Sequence, residues 1–305
     1  MSTLRRKNRV VDEAFLLSLE ALDLYIRKIM SGRFGGTRRS YGAGSSCEFL
    51  DYRDYVLGDD LRTIDWNLFG RLGKYYVKRY TDERQQETVV YLDASRSMAE
   101  DASGQKALTA LRLAAAVGYL SVQSMDRVSF RLLREGACFD LCGSVMGREG
   151  FYRAGEALES VAFAGEVQLG AAIRADPAPG YDNGLSVIIS DFLTDSNWKS
   201  GVDYLLSRKR QAALLHLVTP EEAAPRYRGP ASLLDCEASL ENDRRHLRLS
   251  IDRIALKAYQ ETFTAFQQDM RSFCVSRDAA LLTVRTDRPL SEAFIRNGLQ
   301  EELLR

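Results

Sequence analysis

Residues 89–98 read VVYLDASRSM, and this stretch decides the fold. It opens as a short, continuous apolar run, the pattern of a strand buried on both faces, and such strands belong to parallel sheets covered by helices. The chain then places Asp93, Ser95 and Ser97 at every second position. In open α/β sheets ligands gather at the carboxyl ends of the strands, so one carboxylate and two hydroxyls at that end form a candidate site. Downstream the rhythm of strand and helix continues. GQKALTALRLAAAVGYLSVQSM (104–125) has helical spacing, with Leu108, Leu111, Ala115, Gly118, Val122 and Met125 on one face. RVSFRLL and ACFDLCGSV predict strands, the second at an edge, and helices follow over about 149–163 and 168–174. The strand LSVIISD (185–191) ends in a second carboxylate, Asp191, before a helix near 196–209 and the strand AALLHLVT (212–219). Strands separated by helical lengths imply right-handed crossovers and a doubly wound, mostly parallel sheet of the Rossmann-like α/β class. If Asp93 and Asp191 face one crevice about 5 Å apart, their repulsion is roughly 3 kcal/mol at an effective dielectric of about 20. Something positive or well hydrated is expected to offset it.

Working outward, residues 12–30 place Phe15, Leu19, Leu22, Ile26 and Ile29 at alternating spacings of four and three, one stripe of an amphipathic helix. A link rich in glycine and arginine follows over 31–46, then an arm, CEFLDYRDYVLGDDLRTIDWNLFGRLGKYYVKRYTDE, that predicts a hairpin turning at Leu72 and Gly73. The expected division is an N-terminal helix, link and arm over 1–84 and an α/β domain over 85–305. Within the latter, about 226–250 reads as a small β-hairpin insertion. A long helix then carries Tyr259, Phe263, Phe266, Met270 and Phe273 at steps of four and three, and the strand ALLTVRT (280–286) and a helix from about 290 complete the chain.

Composition narrows the functions. The 305 residues are 45% hydrophobic and 28% charged, with 42 basic and 42 acidic side chains, so no global charge steers the molecule to nucleic acid or to an anionic membrane. Five scattered cysteines without a Cys-x-x-Cys pair indicate neither a disulfide framework nor a zinc site and suit a reducing cytoplasm. Asp12, Glu13, Glu20 and Asp23 interrupt the only N-terminal apolar run, and no uncharged window is long enough to span a bilayer.

The pair VVYLDASRSM and VIISDFLTD resembles the metal-ion-dependent adhesion site of von Willebrand factor type A domains. The preceding segment, GTRRSYGAGSSCEFLDYRDYVLGDDLRTIDWNLFGRLGKYYVKRYTDE, together with GPASLLDCEA and LLTVRTDRPLSEAF, resembles domain-of-unknown-function family 58, from about residue 33 to 298. The resemblance implies a von Willebrand factor type A-like fold in which Ser95 and Ser97 bind magnesium directly while Asp93 and Asp191 act through waters. It also implies a threonine from a second loop. Aligning AFAGEVQLGAAI puts Val167 at that position, which leaves magnesium binding weak or vestigial unless water or Glu166 substitutes. The implied function is a non-enzymatic protein-interaction adaptor whose crevice meets an acidic side chain of another protein. The implied partner is a MoxR-type AAA+ ATPase.

The other candidate chemistries are poorly supplied. His216 lies in an apolar strand and reads as a satisfied core residue, and His246 lies in a charged hairpin, so neither is placed as a nucleophile's base. Ser190 and Asp191 are adjacent on a strand and point to opposite faces. The link lacks a phosphate-loop spacing. A metal-assisted phosphoester hydrolase using the same oxygens is the alternative class, with Glu166 and Asp195 as its only further carboxylates. In the link and arm, Arg38, Arg39, Arg53 and Arg62 are the candidate partner-binding residues. The structural reading of the arm has Arg53 and Arg62 pinning it to the α/β core through ion pairs, with Tyr52, Tyr55, Val56, Leu57 and Trp66 supplying buried area.

Overall fold

The central sheet runs in the order β10-β7-β6-β3-β4-β5 among the described residues of the computed structural model, which describes residues 10–21, 47–82, 86–99, 104–180, 183–194, 197–225, 227–234, 246–290 and 292. Its strands are β3 (Glu87–Asp93), β4 (Arg127–Arg134), β5 (Ala137–Val145), β6 (Leu185–Ser190), β7 (Gln211–Val218) and β10 (Ala280–Arg285). All neighbours are parallel except β4 and β5, an antiparallel pair that puts β5 at the edge. From β3 the chain proceeds to one side through β4 and β5 and returns to the other through β6, β7 and β10. The strand order therefore reverses between β3 and β6, the point at which open α/β sheets place their ligand sites beyond the strand ends.

Alternate side chains of the central strands enter two apolar layers. Val90 and Leu92 of β3, Val187 and Ile189 of β6 and Leu215 of β7 join Phe15 and Leu19 of helix α1 (residues 13–21), Leu113 of α3 (Gln105–Gln123) and Phe151 of α4 (Gly147–Glu159). On the opposite face Val89, Tyr91, Ile188 and Leu214 join Leu169 of α5 (Leu169–Arg174), Leu205 of α6 (Trp198–Ser207) and Met270 and Phe273 of α8 (Arg253–Val275). Burial on both faces explains the unbroken apolar strands. The sheet is doubly wound, as the sequence rhythm requires.

Helix α1 belongs with this sheet, not with the arm that follows it in the chain. Its Phe15 and Leu19 are core residues, and Asp12 accepts an ion pair from Arg112 of α3 at 2.7 Å. The α3 stripe also differs at its end, for Met125 lies beyond the helix, exposed and at positive φ. The hairpin expected over 226–250 is present as β8 (Gly229–Leu234) and β9 (His246–Ile251), but it forms its own two-stranded sheet. Residues 22–30, the link with Arg38 and Arg39, and the expected helix after 292 lie outside the described residues.

Residues 47–82 belong to a second compact unit. Strands β1 (Cys47–Asp54) and β2 (Tyr76–Asp82) pair antiparallel, and the turn expected at Leu72–Gly73 is instead the end of a helix, α2 (Trp66–Leu72). Asp65 caps it by accepting from the amides of Asn67 and Leu68, and Gly73 terminates it at φ 67°, the left-handed conformation glycine adopts freely. Arg53 pairs with Asp59 within the arm at 2.6 Å, so this ion pair closes locally. Tyr52, Val56, Leu57 and Trp66 are exposed, while Ile64 and Val77 are buried.

Candidate functional site

The candidate site is built by strand register. Leu92 of β3 sits opposite Ile189 of β6, so Asp93 and Ser190 are the next residues in step. Asp93 continues the Val89–Tyr91 face, and Ser190 continues that of Ile188; their side chains therefore meet, with the Ser190 hydroxyl donating to Asp93 Oδ2 at 2.6 Å. Asp191 takes the opposite direction and receives the Lys106 ammonium from the first turn of α3 at 2.7 Å. The alternation expected of Ser190 and Asp191 is thus observed, and each of the two has its own partner.

Behind Asp93 the chain turns sharply. The Ser95 amide donates to Asp93 Oδ1 at 2.9 Å, and Ser95 Oγ lies 3.0 Å from Ser97 Oγ. Ser95 begins the 3₁₀ turn Arg96–Met98, but its hydroxyl does not cap that turn. The two hydroxyls therefore face each other, as an oxygen-bearing site requires. Ser95 is fully buried and Ser97 half-buried, so Ser97 is the hydroxyl nearer solvent. The second loop is joined by backbone bonds: Ala164 donates to the Ala94 carbonyl and Arg96 to that of Gly165, each at 2.9 Å. These bonds bring Val167 to the crevice's flank, where it is buried in the apolar layer with Tyr91 and Leu169. Its carbonyl accepts the Thr194 hydroxyl at 3.1 Å. Glu166 is exposed, and its carbonyl accepts the Glu135 amide.

After β6, Phe192 is buried at φ 55°, a costly conformation for a bulky residue. It lets the Phe192 amide donate to Ser190 Oγ and the Leu193 amide to Asp191 Oδ1, both at 2.9 Å. All four carboxylate oxygens of Asp93 and Asp191 are thereby engaged by named donors.

The electrostatics centre on Lys106. Its ammonium, on a side chain only 2% exposed, lies 2.7 Å from Asp191 and 2.7 Å from Glu222 of α7 (Pro220–Ala223). Desolvation pulls the lysine pKa down, but Asp191 and Glu222 outweigh it and hold the ammonium above its ordinary value. Among the described residues Asp93 has no cation so near. Burial, then the charge of Asp191, push its carboxyl up to about 7 against the hydrogen bonds from Ser190 and Ser95. His216 of β7 lies on the same side, buried against Phe192, Phe263 and Phe266. Desolvation lowers its pKa to about 4, with Asp191 opposing and Lys106 assisting. It is buried as expected but not satisfied. Among the described residues neither ring nitrogen has a hydrogen-bond partner of normal geometry, although the Asp191 backbone lies close enough to favour the charged form.

The structure thus brings the expected residues Asp93, Ser95, Ser97 and Asp191 to one end of the sheet, together with Ser190 and with Lys106, Phe192, Thr194 and Glu222, which the sequence reading does not single out. The donor set does not match the divalent-cation site that the resemblance implies. Position 167 offers no side-chain oxygen, and the positive charge on Asp191 belongs to the protein itself. A dication sharing that carboxylate at roughly 5 Å from the ammonium would be repelled by about 7 kcal/mol at an effective dielectric of about 20. Among the described residues no three His, Cys, Asp or Glu side chains converge as a metal cluster. None of the described helices is long and apolar enough to cross a membrane.

The family model described as "Protein of unknown function DUF58" matches residues 51–262. An uncharacterized protein of Mycobacterium tuberculosis is 26% identical over 286 residues, 91% of this chain and 86% of that protein. Among solved structures, the conserved hypothetical protein BatB from Bacteroides thetaiotaomicron is similar at 16% identity and a TM-score of 0.39, covering 70% of this chain and 99% of that one. The SpRpn10 VWA domain is similar at 10% identity and a TM-score of 0.38, covering 70% and 94%.

Proposed function

The chain belongs to the DUF58 family, and we propose that it is a non-enzymatic protein-interaction adaptor whose crevice beyond β3 and β6 is a degenerate adhesion site. One observation carries this reading: Asp93, Ser95, Ser97 and Asp191 come from two adjacent parallel strands and the loops that follow them, at the point where strand order reverses. That is where open α/β sheets bind their ligands. Ser97 is the half-buried member, suited to meet a partner's side chain, while Asp93 and Asp191 hold the floor through fixed hydrogen bonds. The family resemblance supplies the partner, a MoxR-type AAA+ ATPase, and the cysteine pattern the compartment, the cytoplasm.

Metal-assisted phosphoester hydrolysis is less well supported by the same residues. A hydrolase needs free carboxylates and a general base. Here the carboxylate oxygens are engaged by Ser95, Ser190, Leu193 and Lys106, and His216 is sealed among aromatic rings.

The test mixes the purified chain with the MoxR-type ATPase of the same organism and measures binding by calorimetry. Saturable binding that Ser97→Leu weakens at least about tenfold, some 1.4 kcal/mol, is the expected result. Absence of any complex, together with phosphoester turnover abolished by Asp93→Ala, would overturn the adaptor reading.

A further inference from the structure

Lysine is almost never fully buried unless it is paired. Lys106 is buried, and its position is unfavourable on its helix's account, because a cation in the first turn opposes the helix dipole. The carboxylates explain it. Glu222 is held by a capping box: its Oε2 accepts the Thr219 amide at 2.7 Å and its own amide donates to Thr219 Oγ1 at 3.1 Å. Its carbonyl accepts the Tyr259 hydroxyl of α8 at 2.9 Å. Asp191 is fixed by the Leu193 amide and by the strained turn at Phe192. Two carboxylates from the ends of neighbouring strands β6 and β7 are thus fixed in advance, each 2.7 Å from one ammonium.

We propose that Lys106 is the resident cation of this crevice: a tethered ammonium takes the electrostatic place of the divalent ion, and the site is complete without metal. Val167, which adds packing and no oxygen, fits the same account. The inference deepens the adaptor reading and rests on it only in taking the same crevice as the contact site; contacts made there need no chelatable ion.

The test reads metal uptake and melting, so it can fail while partner binding stands, and the reverse. Wild-type protein stripped with chelator is titrated with magnesium and manganese by calorimetry, and its melting is followed with and without chelator. Expected are an unchanged melting temperature and no saturable uptake up to about 10 mM, an order of magnitude beyond the weakest dedicated calcium modules. Lys106→Met leaves two carboxylates without their cation and is expected to melt lower and to regain stability with manganese. Saturable uptake by the wild type below that limit, lost in Ser95→Ala, overturns the proposal, as does a folded Lys106→Met that takes up no metal. If that variant does not fold, the wild-type titration decides alone.

Discussion

Lys106 and Asp191 are 85 positions apart in the chain and 2.7 Å apart in the fold, with both side chains at most 3% exposed. Removing one member of such a pair leaves an uncompensated buried charge, a loss of about 3–5 kcal/mol. Lys106→Met and Asp191→Asn are each expected to lower the unfolding free energy by that amount in urea titrations. The double variant should lose less than the sum. A coupling of about 2–3 kcal/mol in the cycle is expected of contacting groups, and additive losses would show that the two charges do not depend on each other.

His216 and Asp93 titrate against each other. The His216 pKa drops from 6.5 unfolded to about 4 folded, so its stability contribution is present above 6.5 and lost as pH falls towards 4. The Asp93 pKa rises from 3.8 unfolded to about 7, so its contribution is present below 3.8 and lost as pH rises towards 7. Between about pH 4 and 6.5 the two slopes are opposite and cancel. His216→Phe, which also removes two unpartnered nitrogens from an aromatic pocket, is expected to unmask Asp93. Relative to wild type, this variant should gain about 3 kcal/mol on acidification across that window, and Asp93→Asn should lose about as much. Denaturation series at half-unit pH steps check this; parallel profiles for wild type and both variants would refute it.

What the sequence made legible follows from which forces are local. The strands around VVYLD and LSVIISD are readable because burial on both faces requires uninterrupted apolar residues, and the cluster Asp93, Ser95 and Ser97 is readable because its spacing is short. Lys106 was not. Helix α3 is covered on more than one side, and besides the stripe through Leu108 and Leu111 a second one, Ala110 and Leu113, runs back one turn into Lys106. Its partners lie 85 and 116 residues away, so no local pattern marks them. Helix α2 is a different case, because its signals are local: Asp65 is its cap and Gly73 its stop, within a segment whose mix of aromatic and charged residues reads as a hairpin.

Arg53 gives a contrasting case to Lys106. Its ion pair with Asp59 is solvent-exposed, and such pairs contribute little to stability. Arg53→Ala is therefore expected to leave the melting temperature unchanged, in contrast to the stability loss expected of an arginine that pins the arm. Calorimetry of the variant with the proposed ATPase partner then reads recognition alone, and a lowered melting temperature would assign the arginine a structural role.

Close approach of α5 and α6 depends on Gly170. A Cβ built there would stand 2.2 Å from the Asn197 carbonyl oxygen and 2.7 Å from Ser200 Oγ, and one at Gly201 would stand 3.1 Å from Gly170 Cα. Asn197 caps α6 by accepting from the Ser200 amide, so the obstructing carbonyl belongs to a fixed turn. Gly170→Ala must separate the helices, and overpacking of this kind costs about 1–3 kcal/mol. Each kcal/mol corresponds to roughly 2–4 °C in melting temperature for a domain of this size. Because α5 follows directly on the loop that carries Val167, the variant should also weaken partner binding at the crevice. Gly70→Ala is the control: this glycine lies inside α2 with nothing near its would-be Cβ, and the change should stabilise that helix by roughly 0.5–1 kcal/mol. Equal melting shifts for the two substitutions would mean that the α5–α6 contact is looser than the geometry requires.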